Sequence, residues 1–270
     1  MELDKIYNED CLKTIKNLEY DSIDLVVTSP PYNTGGRGEY WSNTIVNGKR
    51  VYKKEKRYDV YNDKETTSDY IDFLVDLVNR LDEPLKKNSV ILMNLSYGNE
   101  NPSDMWLFIA DLIKNTPYMV ADCIVWKKTS ALPNSTSRNK LTRICEFVFV
   151  IARKCEIDTY NTAKKVISIS PKKQNFYEVF YNIVEAKNND EATGINKATY
   201  SSELVAKLIN MYLKKGDAVV YDPFMGTGTT AIASINCGFN FIGSEISKKQ
   251  CDHANKRISK NRLPIFDGVF

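Results

Sequence analysis

The chain has 270 residues, 43% of them hydrophobic, and a formal net charge of +3. That length supports one α/β domain or two small ones with a real core, and no stretch approaches the roughly eighteen consecutive apolar residues a membrane span needs. The charge balance excludes a globally basic nucleic-acid binder, so any such affinity must come from local patches.

The opening Met1-Glu2-Leu3-Asp4 lacks a charged-then-apolar leader, and a cytoplasmic protein is expected. Six cysteines, at 11, 123, 145, 155, 237 and 251, include no Cys-x-x-Cys pair, and His253 is the single histidine. Buried reduced thiols fit this pattern better than a zinc site, so no metal is expected.

In chain order, Lys5-Ile6-Tyr7 reads as a short strand, Leu12 to Leu18 as a small helix, and Ile23 to Val27 as a buried strand. That strand runs into Thr28-Ser29-Pro30-Pro31-Tyr32-Asn33. Prolines cannot donate to a sheet ladder, so the strand stops there and leaves stiff carbonyls at its carboxyl end. A hydroxyl before them (Ser29) and a ring after them (Tyr32) suit a planar, amine-bearing ring such as a nucleobase. The plain alternative is a proline-stopped strand with a packed tyrosine. Residues 34–67 follow as a long polar loop, expected to be a lid or disordered. It carries Arg37, Lys49, Arg50 and Lys53 among its basic residues, interleaved with Tyr40, Trp41 and Tyr52. Phosphate contacts and base stacking use such a mixture, although a solvated loop would also carry it.

Ser68 is positioned to cap a helix with Tyr70, Phe73, Leu74, Leu77, Val78 and Leu81 at helical spacing, ending before Pro84. Ser89 to Leu95 reads as a second buried strand and Met105 to Ile113 as a helix. Strand, helix, strand, helix is the pattern of a parallel sheet. Val120 to Trp126 and Cys145 to Ala152 read as a hairpin. Its connection holds Lys127, Lys128, Arg138, Lys140 and Arg143 with no acidic residue, which suits a phosphate backbone. Residues 154–199 lose periodicity, hold Lys172 and Lys173 among several lysines and aromatics, and read as a substrate-facing insert too short for its own core. Ser201 or Ser202 then caps a helix through Tyr212 that ends at Gly216. Ala218 to Tyr221 is a strand, Asp222 to Thr230 a glycine-rich turn into a helix, Phe239 to Gly243 a strand, and Lys248 to Ile258 a last helix.

A strand, a glycine-rich turn, a helix and a second strand ending in a carboxylate form a nucleoside-binding unit, because glycine admits close approach and the carboxylate accepts from ribose hydroxyls. Glu245 stands 17 residues after Gly228, near the spacing that role needs. The turn is neither Gly-x-Gly-x-x-Gly nor a P-loop. Asp222 suits a cationic ligand better than a pyrophosphate, and S-adenosylmethionine combines ribose, adenine and a cationic amino-acid end.

Thr28-Ser29-Pro30-Pro31-Tyr32-Asn33 and Asp222-Pro223-Phe224-Met225-Gly226-Thr227-Gly228-Thr229 resemble the two signatures of amino-group-modifying DNA methyltransferases. Their order, catalytic signature first, is similar to that of the permuted β class. Asn8-Glu9-Asp10-Cys11-Leu12, Val125-Trp126-Lys127 and Glu146-Phe147-Val148-Phe149 resemble further motifs of the same family. Asn196-Lys197-Ala198-Thr199-Tyr200-Ser201 resembles its cofactor-side segment but lacks the usual His and both Pro.

The resemblance implies an α/β fold: a Rossmann-like, seven-stranded, mostly parallel methyltransferase sheet with one antiparallel hairpin strand, circularly permuted, with a small inserted target-recognition region. Residues 1–153 and 200–270 would be the catalytic and cofactor halves of one domain, and 154–199 the insert. It implies catalysis by Ser29, Pro30, Pro31 and Tyr32. Cofactor contacts would come from Asp10, Thr28, Asp222, Pro223, Phe224, Gly226, Gly228, Thr229 and Glu245, with S-adenosyl-L-methionine as cofactor. Candidate DNA contacts are Arg37, Lys127, Lys128, Arg138, Lys140, Arg143, Lys172 and Lys173.

A base amine is a poor nucleophile because its lone pair is delocalised. Hydrogen bonds from it to Ser29 and the Pro30 carbonyl would restore that lone pair, while Tyr32 stacks on a flipped base. Ser before Pro-Pro-Tyr is associated in the family with cytosine N4 and Asp with adenine N6, so cytosine N4 is preferred and adenine N6 is the alternative. Expected partners are double-stranded DNA and a separately encoded restriction endonuclease, with no membrane, the protein being a monomer or homodimer. The competing functions are an RNA or protein-amide methyltransferase and a non-catalytic nucleic-acid-binding module.

Overall fold

A computed structural model of the chain describes residues 1–31, 39–46, 49–56, 60, 65–96, 102–131, 133–135, 137–190, 200–214 and 216–262. The elements in order are β1 (Lys5–Tyr7), α1 (Cys11–Asn17), β2 (Ile23–Thr28), β3 (Glu39–Val46), β4 (Lys49–Lys56), α2 (Thr67–Arg80), β5 (Leu85–Leu95), α3 (Asp104–Asn115), β6 (Tyr118–Lys128) and β7 (Cys145–Arg153). They continue with β8 (Val166–Ile169), β9 (Asn175–Tyr177), β10 (Ile183–Ala186), α4 (Ser202–Tyr212), β11 (Val219–Asp222), α5 (Thr229–Cys237), β12 (Asn240–Ser244) and α6 (Lys248–Arg262).

The central sheet has eight strands in the order β1-β12-β11-β2-β5-β7-β6-β10. All neighbours run parallel except at β7, which is antiparallel to both β5 and β6. The seven expected strands are all present. The eighth, β10, comes from the segment 154–199 and extends the sheet beside β6. The permutation is visible at the other edge: β1 pairs with β12, with Ile6 opposite Gly243.

Alternation along the strands splits the core into two faces, as expected for a sheet covered on both sides. Val26, Ile91, Met93, Phe149 and Ile151 pack under α2 and α3, against Leu74, Leu77 and Phe108. Leu25, Val27, Leu92, Val148 and Val150 pack on the other side with Leu204, Leu208 and Ile209 of α4. Each such side chain contributes about 1.5–3 kcal/mol by leaving water. Among the described residues no helix is long and apolar enough to cross a membrane.

Three expectations are corrected. The stretch 34–67 is not one loop, for β3 and β4 form an antiparallel ribbon from Glu39 opposite Lys56 to Val46 opposite Lys49. The sequence signal is Asn47-Gly48 directly after a run rich in β-branched and aromatic residues. The cap of α2 is Thr66 rather than Ser68: Thr66 Oγ1 accepts from Asp69 N at 3.1 Å and donates to Asp69 Oδ2 at 2.6 Å. The cysteines are all free, but only Cys11 and Cys251 are buried, and Cys155 is exposed.

Candidate active site

β2 and β11 are parallel neighbours, with Val220 opposite Leu25 and Tyr221 opposite Val26. The proline turn after β2 and the glycine-rich turn after β11 therefore open at the same end of the sheet, where α/β folds place ligands. A cavity of about 380 Å³ lies between them, lined by Ser29, Pro30, Pro31, Asp10, Pro223, Phe224, Gly226, Thr229 and Glu245 of the expected residues. Tyr32 and Arg37 lie outside the described residues.

Thr28, Asp222 and Gly228 are not among the residues that line the cavity. Asp222 is 1% exposed and sits behind its wall. Its Oδ1 accepts from Thr28 Oγ1 at 2.8 Å and Phe224 N at 2.9 Å, and its Oδ2 from Thr230 Oγ1 at 2.5 Å and Tyr200 OH at 3.2 Å. Burial raises the Asp222 pKa above the ordinary carboxylate value, opposed by these four donors. Asp222 thus ties β11, the end of β2 and the start of α5 into one unit. Gly228 caps α5 at φ +85, and a Cβ there would stand 2.9 Å from the Ala254 Cβ. Its lack of a side chain serves the left-handed turn and the close packing of α5 on α6.

Glu245, at the end of β12, holds the turn from the far side. Its Oε2 accepts from Gly226 N at 2.8 Å and its Oε1 from Ser247 N at 2.7 Å. Glu245 thus lines the cavity beside the turn it holds. Asp10 caps α1 by accepting from Leu12 N at 2.8 Å.

Sequence reasoning missed several wall residues. Glu65, just before α2, and Asp69, in its first turn, line the cavity with Tyr70 and Phe73, and the Phe73 ring lies 6.0 Å from that of Phe224. Nothing in the local sequence marks these residues, because α2 reaches the site only through packing. Tyr200 also lines it, although its segment lacks the family's His and Pro.

The wall chemistry fits a zwitterionic nucleoside. Five carboxylates line it (Glu9, Asp10, Glu65, Asp69 and Glu245) and, among the described lining residues, no Lys, Arg or His. Such a wall favours a cation. At the start of α5, Thr229 Oγ1 is buried without a hydrogen-bond partner, and the helix has no side-chain cap. An orphaned donor at a helix N-terminus suits a ligand carboxylate. Burial pushes the Cys11 thiol, also on the wall, up to about 12, so it is not a thiolate nucleophile.

A family model described as DNA methylase, of the N6 and N4 type, matches residues 23–256. The chain belongs to this N6/N4 DNA methylase family. It is 25% identical over 262 residues to the type II methyltransferase M.HinfI of Haemophilus influenzae, covering 95% of the chain and 68% of that protein. It is 22% identical over 241 residues to the type II methyltransferase M2.MboI of Moraxella bovis, covering 89% and 82%. Among solved structures, the cytosine-N4-specific PvuII DNA methyltransferase superposes with a TM-score of 0.69 at 15% identity, covering 98% of this chain and 88% of that one. A Thermus thermophilus protein described as a putative DNA modification methylase, solved with S-adenosyl-L-methionine, gives 0.59 at 18% identity, covering 98% and 99%.

In this N6/N4 methylase the candidate DNA contacts fall into two groups. Lys127 is paired with Glu185 at 2.6 Å and Lys128 with Glu146. Arg138 and Lys140 are exposed on the β6–β7 connection, and Lys172 and Lys173 are exposed in the turn between β8 and β9. Arg143 on the same connection is half-buried. Arg138, Lys140, Lys172 and Lys173 face solvent. The first group has a protein partner already, and the exposed Lys127 pair is weak enough for a phosphate to displace.

Proposed function

We propose that the protein transfers a methyl group from S-adenosyl-L-methionine to the exocyclic amine of a flipped cytosine, at N4, within a specific duplex DNA sequence. The observation that carries this reading is Ser29-Pro30-Pro31 on the wall of a carboxylate-lined nucleoside cavity. Glu245 and Asp10 would hold the ribose and adenine, and Thr229 with the start of α5 the amino-acid carboxylate. When bound, the cofactor supplies an electrophilic methyl group.

The protein's own contribution is orientation. The Pro30 carbonyl and the Ser29 hydroxyl accept from the two N–H groups of the target amine, drawing its lone pair out of the ring. Proline stiffness keeps both acceptors where the amine must arrive. No covalent enzyme intermediate is needed, in keeping with a protonated, buried Cys11. Extrahelical placement of the base costs a few kcal/mol, which contacts from Tyr32 and the basic loops offset. Residues 154–199, with β8, β9 and β10, would form the region that reads flanking sequence. The relatives named as type II methyltransferases support a role in protecting DNA from a companion endonuclease.

Purified protein incubated with labelled S-adenosylmethionine and duplex DNA, followed by digestion to nucleosides, tests this directly. Label in N4-methylcytosine is the expected outcome. Label in N6-methyladenine would replace cytosine by adenine, a substitution a serine hydroxyl allows because it both donates and accepts. Label in RNA or protein alone would overturn the DNA assignment.

A further inference from the structure

We propose that Asn94 is a positioning residue for the catalytic turn, oriented by Glu146 and Lys128 so that its amide N–H faces the Ser29 hydroxyl. The four side chains lie along the ends of four neighbouring strands, β2, β5, β7 and β6. Ser29 directly follows Thr28, which stands opposite Met93, so Asn94 is the next residue across the ladder. Asn94 Nδ2 donates to Ser29 Oγ at 3.5 Å and to Glu146 Oε2 at 2.8 Å. Lys128 Nζ donates to the other oxygen of Glu146 and lies 5.0 Å from the centre of the Trp126 ring.

The line is sheltered. Asn94 is 3% exposed, and the Lys128 and Glu146 side chains are 19% and 12% exposed. Lys128 N also donates to Ile144 O at 2.7 Å, closing the rung from which the basic β6–β7 connection leaves the sheet. The catalytic turn and the base of that connection are therefore joined through side chains.

An amide can turn either its donor or its acceptor end toward a neighbour. An ionised carboxylate only accepts, so Glu146 selects the nitrogen, and the second hydrogen of that nitrogen is left for Ser29. With Asn94 as its donor, Ser29 Oγ is held as an acceptor toward the target amine. The 3.5 Å separation is long, as contacts at catalytic groups often are before substrate enters.

The inference rests on Ser29 as acceptor for the target amine, and a double-mutant cycle separates the two claims. Single-turnover methyl transfer to duplex DNA would be compared for the parent, Ser29→Ala, Asn94→Leu and the double variant, with cofactor affinity measured alongside. Each single change is expected to slow transfer by roughly tenfold to a hundredfold, with cofactor affinity preserved. The double variant should be no slower than the slower single. Multiplicative losses would overturn the coupling, whereas an undiminished Ser29→Ala enzyme would overturn the role of Ser29 itself.

If Asn94→Leu does not fold, the near-isosteric pair Asn94→Asp and Glu146→Gln carries the test. Together they exchange donor and acceptor at the 2.8 Å contact, but present Ser29 with an acceptor. Melting temperature should recover in the pair relative to Asn94→Asp alone, while transfer stays slow. Recovery of both would reduce Asn94 to a structural role and overturn the proposal.

Discussion

At the β11 end of the cavity, Asp222 is fully buried and receives four hydrogen bonds of 2.5 to 3.2 Å. At the β2 end, Ser29 meets the Asn94 amide at 3.5 Å, and that amide is itself held at 2.8 Å by Glu146. The cofactor side is thus set by short bonds already made within the protein. The base side has contacts with room to shorten. On the proposed reading, a cofactor would meet a finished surface, whereas a base arriving from a duplex would draw the Ser29 turn tight as it enters.

Removing the Asp222 carboxylate attacks the rigid end hardest. Asp222→Ala leaves Thr28 Oγ1 and the Phe224 N–H without their acceptor, while the Tyr200 and Thr230 hydroxyls, 2.6 Å apart, keep each other, and stability should fall by about 3 kcal/mol. Cofactor binding should be lost with it, although the carboxylate does not touch the cavity. Thermal melting with and without S-adenosylmethionine checks both, and a normal cofactor-induced shift would break the contrast drawn above.

A smaller loss is expected from Gly228→Ala, which places a Cβ in a left-handed conformation and 2.9 Å from Ala254 Cβ. Denaturant unfolding should register a cost of about 2 kcal/mol. The smallest effect is a pH dependence. The folded Asp222 pKa is raised, chiefly by burial, so the native state binds that proton more readily than the unfolded chain. Its contribution is full below the ordinary carboxylate range and is lost as pH rises through the raised folded value. Relative to Asp222→Asn, the parent should lose stability across that window. Parallel stability curves for the two proteins would show that the four donors outweigh burial.

How much of this was readable in the sequence follows from what each element depends on. The strand ending at Pro30-Pro31 and the turn from Asp222 to Thr229 are local chemistry, and both stand where periodicity and turn residues put them. Orientation at Asp222 and Gly228 was not legible, because a one-dimensional motif does not say whether a side chain faces the ligand or the packing behind it. Glu65, Asp69 and Asn94 were invisible for another reason: they reach the site by helix packing and by ladder register. The β3–β4 ribbon was missed through emphasis on charge over the Asn47-Gly48 hairpin signal.

The pairing of β1 with β12 also has a temporal side. Among the described residues, the sheet neighbour of β1 is a strand more than two hundred residues later, with Asn8 Nδ2 donating to Glu245 O across a separation of 237. At synthesis rates of about 5–20 residues per second, Asp10 and its strand would wait roughly 12–50 s for that partner to leave the ribosome. The wall that Glu245 contributes to the cavity therefore cannot form until β12 has emerged. A polypeptide stopped short of β12 would carry Ser29-Pro30-Pro31 without Glu245 on the facing wall.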